Sequence, residues 1–203
     1  MLFFGDLIEC TKPNKFQIIL IDLIIYQIAH RDLKPSNIMF LKPGCDFLDL
    51  RICDFGFAKQ LRAENGLLMT PCYTTNFVAP EVLKMQGYQT ACDVWSLGVT
   101  LYVILSGKTP FMMRENYSPE TILKHIEISK VAFSGVEWEK ISPNAINLID
   151  RMLNIDPKKR ITIKEIKEHP WILESESLST EPLEELQKNL NDAYRGNLKI
   201  KLN

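Results

Sequence analysis

The stretch His30-Arg31-Asp32-Leu33-Lys34-Pro35-Ser36-Asn37 sets a carboxylate, an ammonium and a carboxamide close together. Seventeen residues beyond Asn37 stands Asp54-Phe55-Gly56, and Ala79-Pro80-Glu81 follows further on. Each triplet recurs by chance when taken alone. All three in this order form a signature of phosphoryl transfer. That reaction passes through a loose transition state, so catalysis is mostly positioning and charge neutralisation. Asp32 would accept or orient the proton of an acceptor hydroxyl lying within hydrogen-bond reach. Lys34 would set a cation against the γ-phosphate as charge develops. Asn37 and Asp54 offer the oxygen ligands that magnesium, a hard cation, prefers. Gly56 would let the backbone turn sharply after Phe55.

These motifs resemble the protein kinase superfamily, and within it the calmodulin-dependent kinase group. The resemblance implies ATP and Mg2+ as cofactors, with Asp32, Lys34, Asn37 and Asp54 as catalytic residues. Of these, Lys34, Asn37 and Asp54 would face the nucleotide, and Asn37 and Asp54 the metal. The H-R-D-L-K-P-x-N form resembles serine/threonine kinases, whereas tyrosine kinases usually carry another pattern after the aspartate. Thr74, seven residues before Glu81, matches a family threonine that contacts the catalytic aspartate and lysine. Asp93-Val94-Trp95-Ser96-Leu97-Gly98 resembles the start of the buried central helix, where Asp93 would hold the catalytic-loop backbone. Glu81 and Arg160 match a buried ion pair that ties the activation segment to the helical core.

The run from Leu50 through Asp54-Phe55-Gly56-Phe57-Ala58-Lys59 to Thr70-Pro71-Cys72-Tyr73-Thr74 narrows the likeness further. It looks like the C-terminal kinase domain of the RSK family, the ninety-kilodalton ribosomal protein kinases, with the related MSK kinases as the nearest competitor. The likeness covers roughly residues 30–195. It implies a protein substrate with a Ser/Thr acceptor, an upstream ERK-type MAP kinase, a monomer, and a cytoplasmic or nuclear location. Thr70 would be the regulatory threonine that the MAP kinase modifies. A phosphate there adds about two negative charges and would engage arginines, Arg31 being one candidate. Leu183, Leu186, Leu190 and Tyr194 form one apolar helical stripe, cappable by Thr180 and ended by Gly196. By resemblance this is an autoinhibitory helix with Tyr194 as its regulatory tyrosine. If so, deleting residues 180–203 raises activity. The family's basic docking tail is not evident, since Arg195, Lys199 and Lys201 are the basic residues that follow Tyr194.

Residues 1–29 depart from the family pattern. A kinase N-lobe needs a Gly-rich loop, a strand lysine and a helix glutamate. The nine glycines never come closer than Gly98 and Gly107, and Lys12 and Lys15 lie in no V-A-I-K context. The expectation is therefore a truncated kinase, impaired in autonomous catalysis. The alternative is a non-catalytic C-lobe that acts as a binding or docking module.

The elements that must position these residues point to an α+β, mainly helical unit, the C-lobe of the kinase fold with a small β-hairpin and no recognisable N-lobe. The hairpin is predicted from Ile38-Met39-Phe40, a turn near Pro43-Gly44, and Leu50-Arg51-Ile52-Cys53. Residues 60–80 read as a long loop. Asp93 to Leu105 is too long an apolar stretch for a strand, so it predicts a buried helix ended by Gly107 and Pro110. Ile122, Leu123 and Ile126 suggest one amphipathic face; Ile146, Ile149 and Leu153 suggest another, with Ser142-Pro143 starting that helix. Thr162 would cap a short helix ending at His169-Pro170-Trp171. The implied organisation is an atypical segment over 1–29, the C-lobe over 30–173, and a polar linker with a terminal helix over 174–203.

Composition excludes several other classes. The 203 residues carry a formal net charge of −1, which gives no electrostatic reason to invoke nucleic acid or a membrane surface. Phe16 to Ala29 is apolar, but Asp22 interrupts a run already too short to cross a bilayer. Lys12 and Lys15 before it are offset by Asp6 and Glu9 and make no basic n-region, and no small-residue cleavage site follows, so it is a poor signal peptide. Its isoleucines leave helix or strand open. Five cysteines, Cys10, Cys45, Cys53, Cys72 and Cys92, include no C-x-x-C pair. That spacing suits reduced thiols rather than a disulfide framework or a zinc site.

Overall fold

The computed structural model describes residues 28–40, 50–60, 73–85, 89–111, 113 and 117–173. The turn at Pro43-Gly44, Thr70, and the stripe ending at Tyr194 lie outside them, as do most of residues 1–29. Four short strands and six α-helices are found among the described residues: β1 (Ile28–Ala29), β2 (Ile38–Phe40), β3 (Leu50–Ile52) and β4 (Lys59–Gln60), then α1 (Pro80–Leu83), α2 (Ala91–Ser106), α3 (Pro119–Ile128), α4 (Pro143–Met152), α5 (Ile163–Lys167) and α6 (Pro170–Leu173). The mainly helical α+β expectation is met.

The predicted hairpin forms, with Ile38 opposite Ile52, Met39 opposite Arg51 and Phe40 opposite Leu50 in an antiparallel ladder. A second two-stranded sheet joins β1 to β4, with Ile28 opposite Gln60 and Ala29 opposite Lys59. This pairing corrects the single hairpin and the loop expected from residue 60. Two-residue strands have too little periodicity to be read from sequence, and their pairing is set by the contact across the fold. The segment read as loop also contains a 3-10 turn at Thr75–Phe77.

Buried helix α2 is the axis of the core. Every residue from Cys92 to Thr100 is buried, as its nearly unbroken apolar sequence requires. It stops at Gly107, whose φ of 70° lets its N–H return to the Val103 carbonyl. The long stretch between these ends holds Trp95, which stacks on Phe111 with ring centroids 5.6 Å apart.

Local capping chemistry frames the smaller helices. Ser118 accepts from the Thr121 N–H at the start of α3, and Ser142 from the Ala145 N–H at the start of α4, each followed by proline. Thr162 and Glu165 form a reciprocal capping box on α5. The expected single helix to Trp171 instead divides. α5 ends at Lys167, and Pro170 opens α6, because proline has no N–H to continue a helix but suits its first turn. On α3, Ile122 and Ile126 are buried as expected. On α4, Ile149 and the following Leu153 are buried as expected and Ile146 is half-buried against the core, while Ala145, Leu148 and Met152 extend the buried face. Alanine registers weakly in an apolar pattern, so Ala145 is not legible as part of that face; the close approach of α4 to α2 is made at its other end, by Met152 and Leu153.

That approach depends on Gly98. A Cβ there would lie 2.8 Å from the Met152 Cβ and 3.0 Å from the Leu153 Cδ2. The Met152 Cβ is fixed to its backbone and cannot rotate away. Gly98→Ala is therefore expected to cost about 1–3 kcal/mol, despite alanine's better helix propensity. Urea unfolding should show a lower midpoint with an unchanged slope; an unchanged midpoint would mean that α2 and α4 separate freely.

Candidate active site

The segment between β1 and β2 is shaped by Asp93, which lies far along the chain in α2. Its two carboxylate oxygens accept from the His30 N–H at 2.8 Å and the Arg31 N–H at 2.9 Å. Arg31 takes a φ of 70°, a conformation disfavoured for a residue with a Cβ. The paired hydrogen bonds hold it there, and the Arg31 Nε also donates to the Phe57 carbonyl.

Neutral His30 completes the scaffold. Its Nε2 lies 3.2 Å from the Cys53 carbonyl, and its Nδ1 lies 3.4 Å from the Asp32 N–H. A carbonyl can only accept and an N–H can only donate, so Nε2 carries the proton and Nδ1 the lone pair. Burial lowers the His30 pKa from its ordinary value, which favours this neutral form. The imidazole thus ties the turn before Asp32 to the residue before Asp54.

Four of the sequence-identified residues meet here. Asp32 Oδ1 accepts from the Thr74 hydroxyl at 2.6 Å. Its Oδ2 pairs with Lys34 Nζ at 2.7 Å and accepts from Asn37 Nδ2 at 3.0 Å. Lys34 Nζ also donates to Thr74 Oγ1 at 2.8 Å. Asn37 sits at the end of the Pro35–Asn37 3-10 turn, and its Nδ2 donates a second time, to the Asp32 carbonyl at 2.8 Å. Both contacts are acceptors, so the amide orientation is unambiguous. The Asn37 carbonyl oxygen of the side chain is left as the atom a cation could use.

Asp54 is placed differently. It is exposed, with φ 63° and, among the described residues, a weak contact from the Gly56 N–H at 3.4 Å. The Cys53 N–H donates to the Asn37 backbone carbonyl at 2.9 Å, which couples the two segments that bear Asn37 and Asp54. Phe55 packs edge-on against His30 at 4.9 Å while remaining half exposed. Among the described residues, no three His, Cys, Asp or Glu side chains gather as a metal group. Asn37 and Asp54 nonetheless fit magnesium, which takes few protein oxygens and keeps water and substrate phosphate as its other ligands. Thr70 and Tyr194 lie outside the described residues.

The sequence reading missed His30 as a structural link, although its place in the motif was visible. It also missed Ser96, whose hydroxyl donates to the Phe77 carbonyl at 2.8 Å and so holds the Thr75–Phe77 turn on α2. No local pattern marks that contact.

Burial raises the Asp93 pKa from 3.8 to about 6, even though the Arg31 and His30 N–H groups work against that rise. Folding therefore takes up a proton between these values. The stabilising contribution is fully present below the unfolded pKa and is lost as pH rises through about 6. Relative to Asp93→Asn, which does not titrate, wild-type unfolding free energy should fall by roughly 3 kcal/mol between about pH 3 and about pH 7. A pH-independent difference between the two proteins would contradict this.

Comparison with known proteins agrees with this architecture. Residues 23–172 match the protein kinase domain family model. The chain is 56% identical over 156 residues to ribosomal protein S6 kinase alpha-2 of Mus musculus, covering 77% of this chain and 21% of that protein. It is 56% identical over 151 residues to ribosomal protein S6 kinase alpha-1 of Rattus norvegicus, covering 74% and 20% respectively. With ribosomal protein S6 kinase alpha-2 of Homo sapiens the identity is 53% over 156 residues, covering 77% and 21%. The chain thus spans about a fifth of the length of these relatives.

Proposed function

The chain belongs to the protein kinase domain family, and on that premise we propose that it is the catalytic-loop module of an RSK-type serine/threonine protein kinase. It would transfer the ATP γ-phosphate to protein Ser/Thr hydroxyls in MAP-kinase signalling. The observation that carries this is the meeting of Asp32, Lys34 and Thr74 within hydrogen-bond distance. A proton acceptor beside a cation is what an attacking hydroxyl needs. Asp32 would take the hydroxyl proton, Lys34 would face the γ-phosphate, and Asn37 and Asp54 would hold Mg2+. ATP and Mg2+ supply the phosphoryl group and the charge neutralisation; the protein supplies position.

Residues 30–173 would form the helical lobe, with 1–29 a separate segment and 174–203 a linker and helix. Thr70 and Tyr194 would be regulatory, an ERK-type MAP kinase the upstream partner, and the cytoplasm or nucleus the setting, with the protein acting as a monomer. The 203 residues contain no G-x-G-x-x-G and no V-A-I-K. As a separate polypeptide the chain would therefore transfer phosphate slowly.

That same absence favours a second reading, a kinase-like docking module without turnover. Incubation with radiolabelled ATP, Mg2+ and matched Ser/Thr and Tyr peptides separates the two. Slow labelling of Ser/Thr peptides alone supports the enzyme. Labelling no greater than that of Asp32→Asn leaves the docking module, and labelling at the rate of a complete kinase removes the claim of impairment.

A further inference from the structure

We propose that Thr74 is a self-phosphorylation site, modified in cis by the machinery that surrounds it; this rests on the phosphotransferase reading above. The Thr74 hydroxyl donates to Asp32 Oδ1 at 2.6 Å and accepts from Lys34 Nζ at 2.8 Å. A hydroxyl oxygen has two lone pairs. Lys34 occupies one, and the other is left for attack. Among the described residues, Thr74 provides the one hydroxyl bonded to the Asp32 carboxylate. It therefore has, within its own chain, both groups that an incoming acceptor hydroxyl would need.

Its backbone is tethered as well. The Thr74 carbonyl accepts from the Phe77 N–H at 2.9 Å, and the Phe77 carbonyl accepts from Ser96 on α2 at 2.8 Å. A tethered nucleophile carries a large effective concentration relative to a free peptide. Self-modification would thus outrun peptide labelling even where nucleotide is gripped weakly.

The step balances with the magnesium salt of a nucleoside triphosphate as co-reactant. Thr74 Oγ1 forms a bond to the γ-phosphorus as the bond from that phosphorus to the β,γ-bridging oxygen breaks. The nucleoside diphosphate leaves with the electron pair, and the hydroxyl proton passes to Asp32 Oδ1 and then to solvent. The product is an anionic phosphate ester against the Asp32 carboxylate. Like charges at that distance repel, and the ester fills the acceptor position. The modification is self-limiting and closes the site to further substrate.

The test uses the full chain at several protein concentrations, with Mg-ATP and a Ser/Thr peptide in the same vessel. Fragment-ion mapping must separate Thr74 from Thr75. The expected result is one phosphoryl group on Thr74, gained at a rate independent of protein concentration. It should be lost in Asp32→Asn and Thr74→Val, and should reappear as phosphoserine in Thr74→Ser, which carries the test if the valine variant does not fold. Without nucleotide, NMR should show a Thr74 hydroxyl proton protected from solvent exchange; rapid exchange overturns the proposal. Labelled peptide with unmodified Thr74 overturns it while sparing the kinase reading, whereas no label anywhere overturns both. Phosphate on Thr75 alone, or a rate that rises with protein concentration, also overturns it.

Discussion

Arg160→Met is expected to lower the unfolding free energy by about 3–5 kcal/mol, because it strands a largely buried carboxylate. Arg160 commits four of its five guanidinium N–H donors. Nη1 and Nη2 meet the two Glu81 oxygens at 2.6 and 2.9 Å, Nη1 also donates to the Ala91 carbonyl at 2.8 Å, and Nε donates to the Asn154 carbonyl at 3.0 Å. The side chains of Arg160 and Glu81 are only 1% and 12% exposed, so water cannot replace what is lost. The guanidinium also lies 5.2 Å from the centre of the Trp95 ring, which adds a cation–π contact. Methionine would keep much of the volume and none of the donors.

Domains of this size are stable by about 5–15 kcal/mol in total, so the loss is a large share. Arg160→Lys should recover only part of it, since an ammonium cannot reproduce the forked geometry. The double variant Arg160→Met/Glu81→Leu should be less destabilised than the sum of the single changes, as the stranded charge is gone. Urea denaturation of the wild type, Arg160→Met, Arg160→Lys, Glu81→Leu and the double variant gives these values. A loss under about 1 kcal/mol for Arg160→Met would place this pair among exposed, weakly contributing bridges.

Asp32→Asn should reduce phosphate transfer by about 10²–10⁴-fold, with little change in stability. The replacement is nearly isosteric. Its amide oxygen can face Lys34 and Asn37, and its amide nitrogen can donate to Thr74, which accepts as readily as it donates. The local geometry therefore survives while the ability to take up a proton does not. Initial rates of Ser/Thr peptide labelling under saturating Mg-ATP measure the effect, alongside thermal unfolding as a check on the fold. Equal rates for both proteins would exclude Asp32 as the proton acceptor. A matching fall in melting temperature would instead assign it a structural role.

Much of the site was legible because its chemistry is local in sequence. Asp32, Lys34 and Asn37 share one short loop, and the residue types alone name a proton acceptor, a cation and an oxygen donor. The caps at Ser142 and Thr162 were legible for the same reason, since a side chain that bonds an N–H three residues on needs no distant partner. The contacts of Thr74 and Asp93 were anticipated only through family resemblance; nothing in their own neighbourhood announces a partner in the catalytic loop. Ser96 had neither signal and was missed.

By itself the sequence determined the residue types on which the proposed chemistry rests, the paired β2–β3 hairpin, the buried course of α2 and the starts of α4 and α5. Each follows from residue type, spacing or backbone limits acting over a few positions. The tertiary structure alone decided how these pieces meet. Thr74 reaches Asp32 across 42 residues, Asp93 holds His30 across 63, and Arg160 grips Glu81 across 79. Positive φ at Arg31 and Asp54, the neutral tautomer of His30 and the β1–β4 pairing belong to the same class. They depend on which surfaces packing brings together, and on distant hydrogen bonds that offset a local conformational cost.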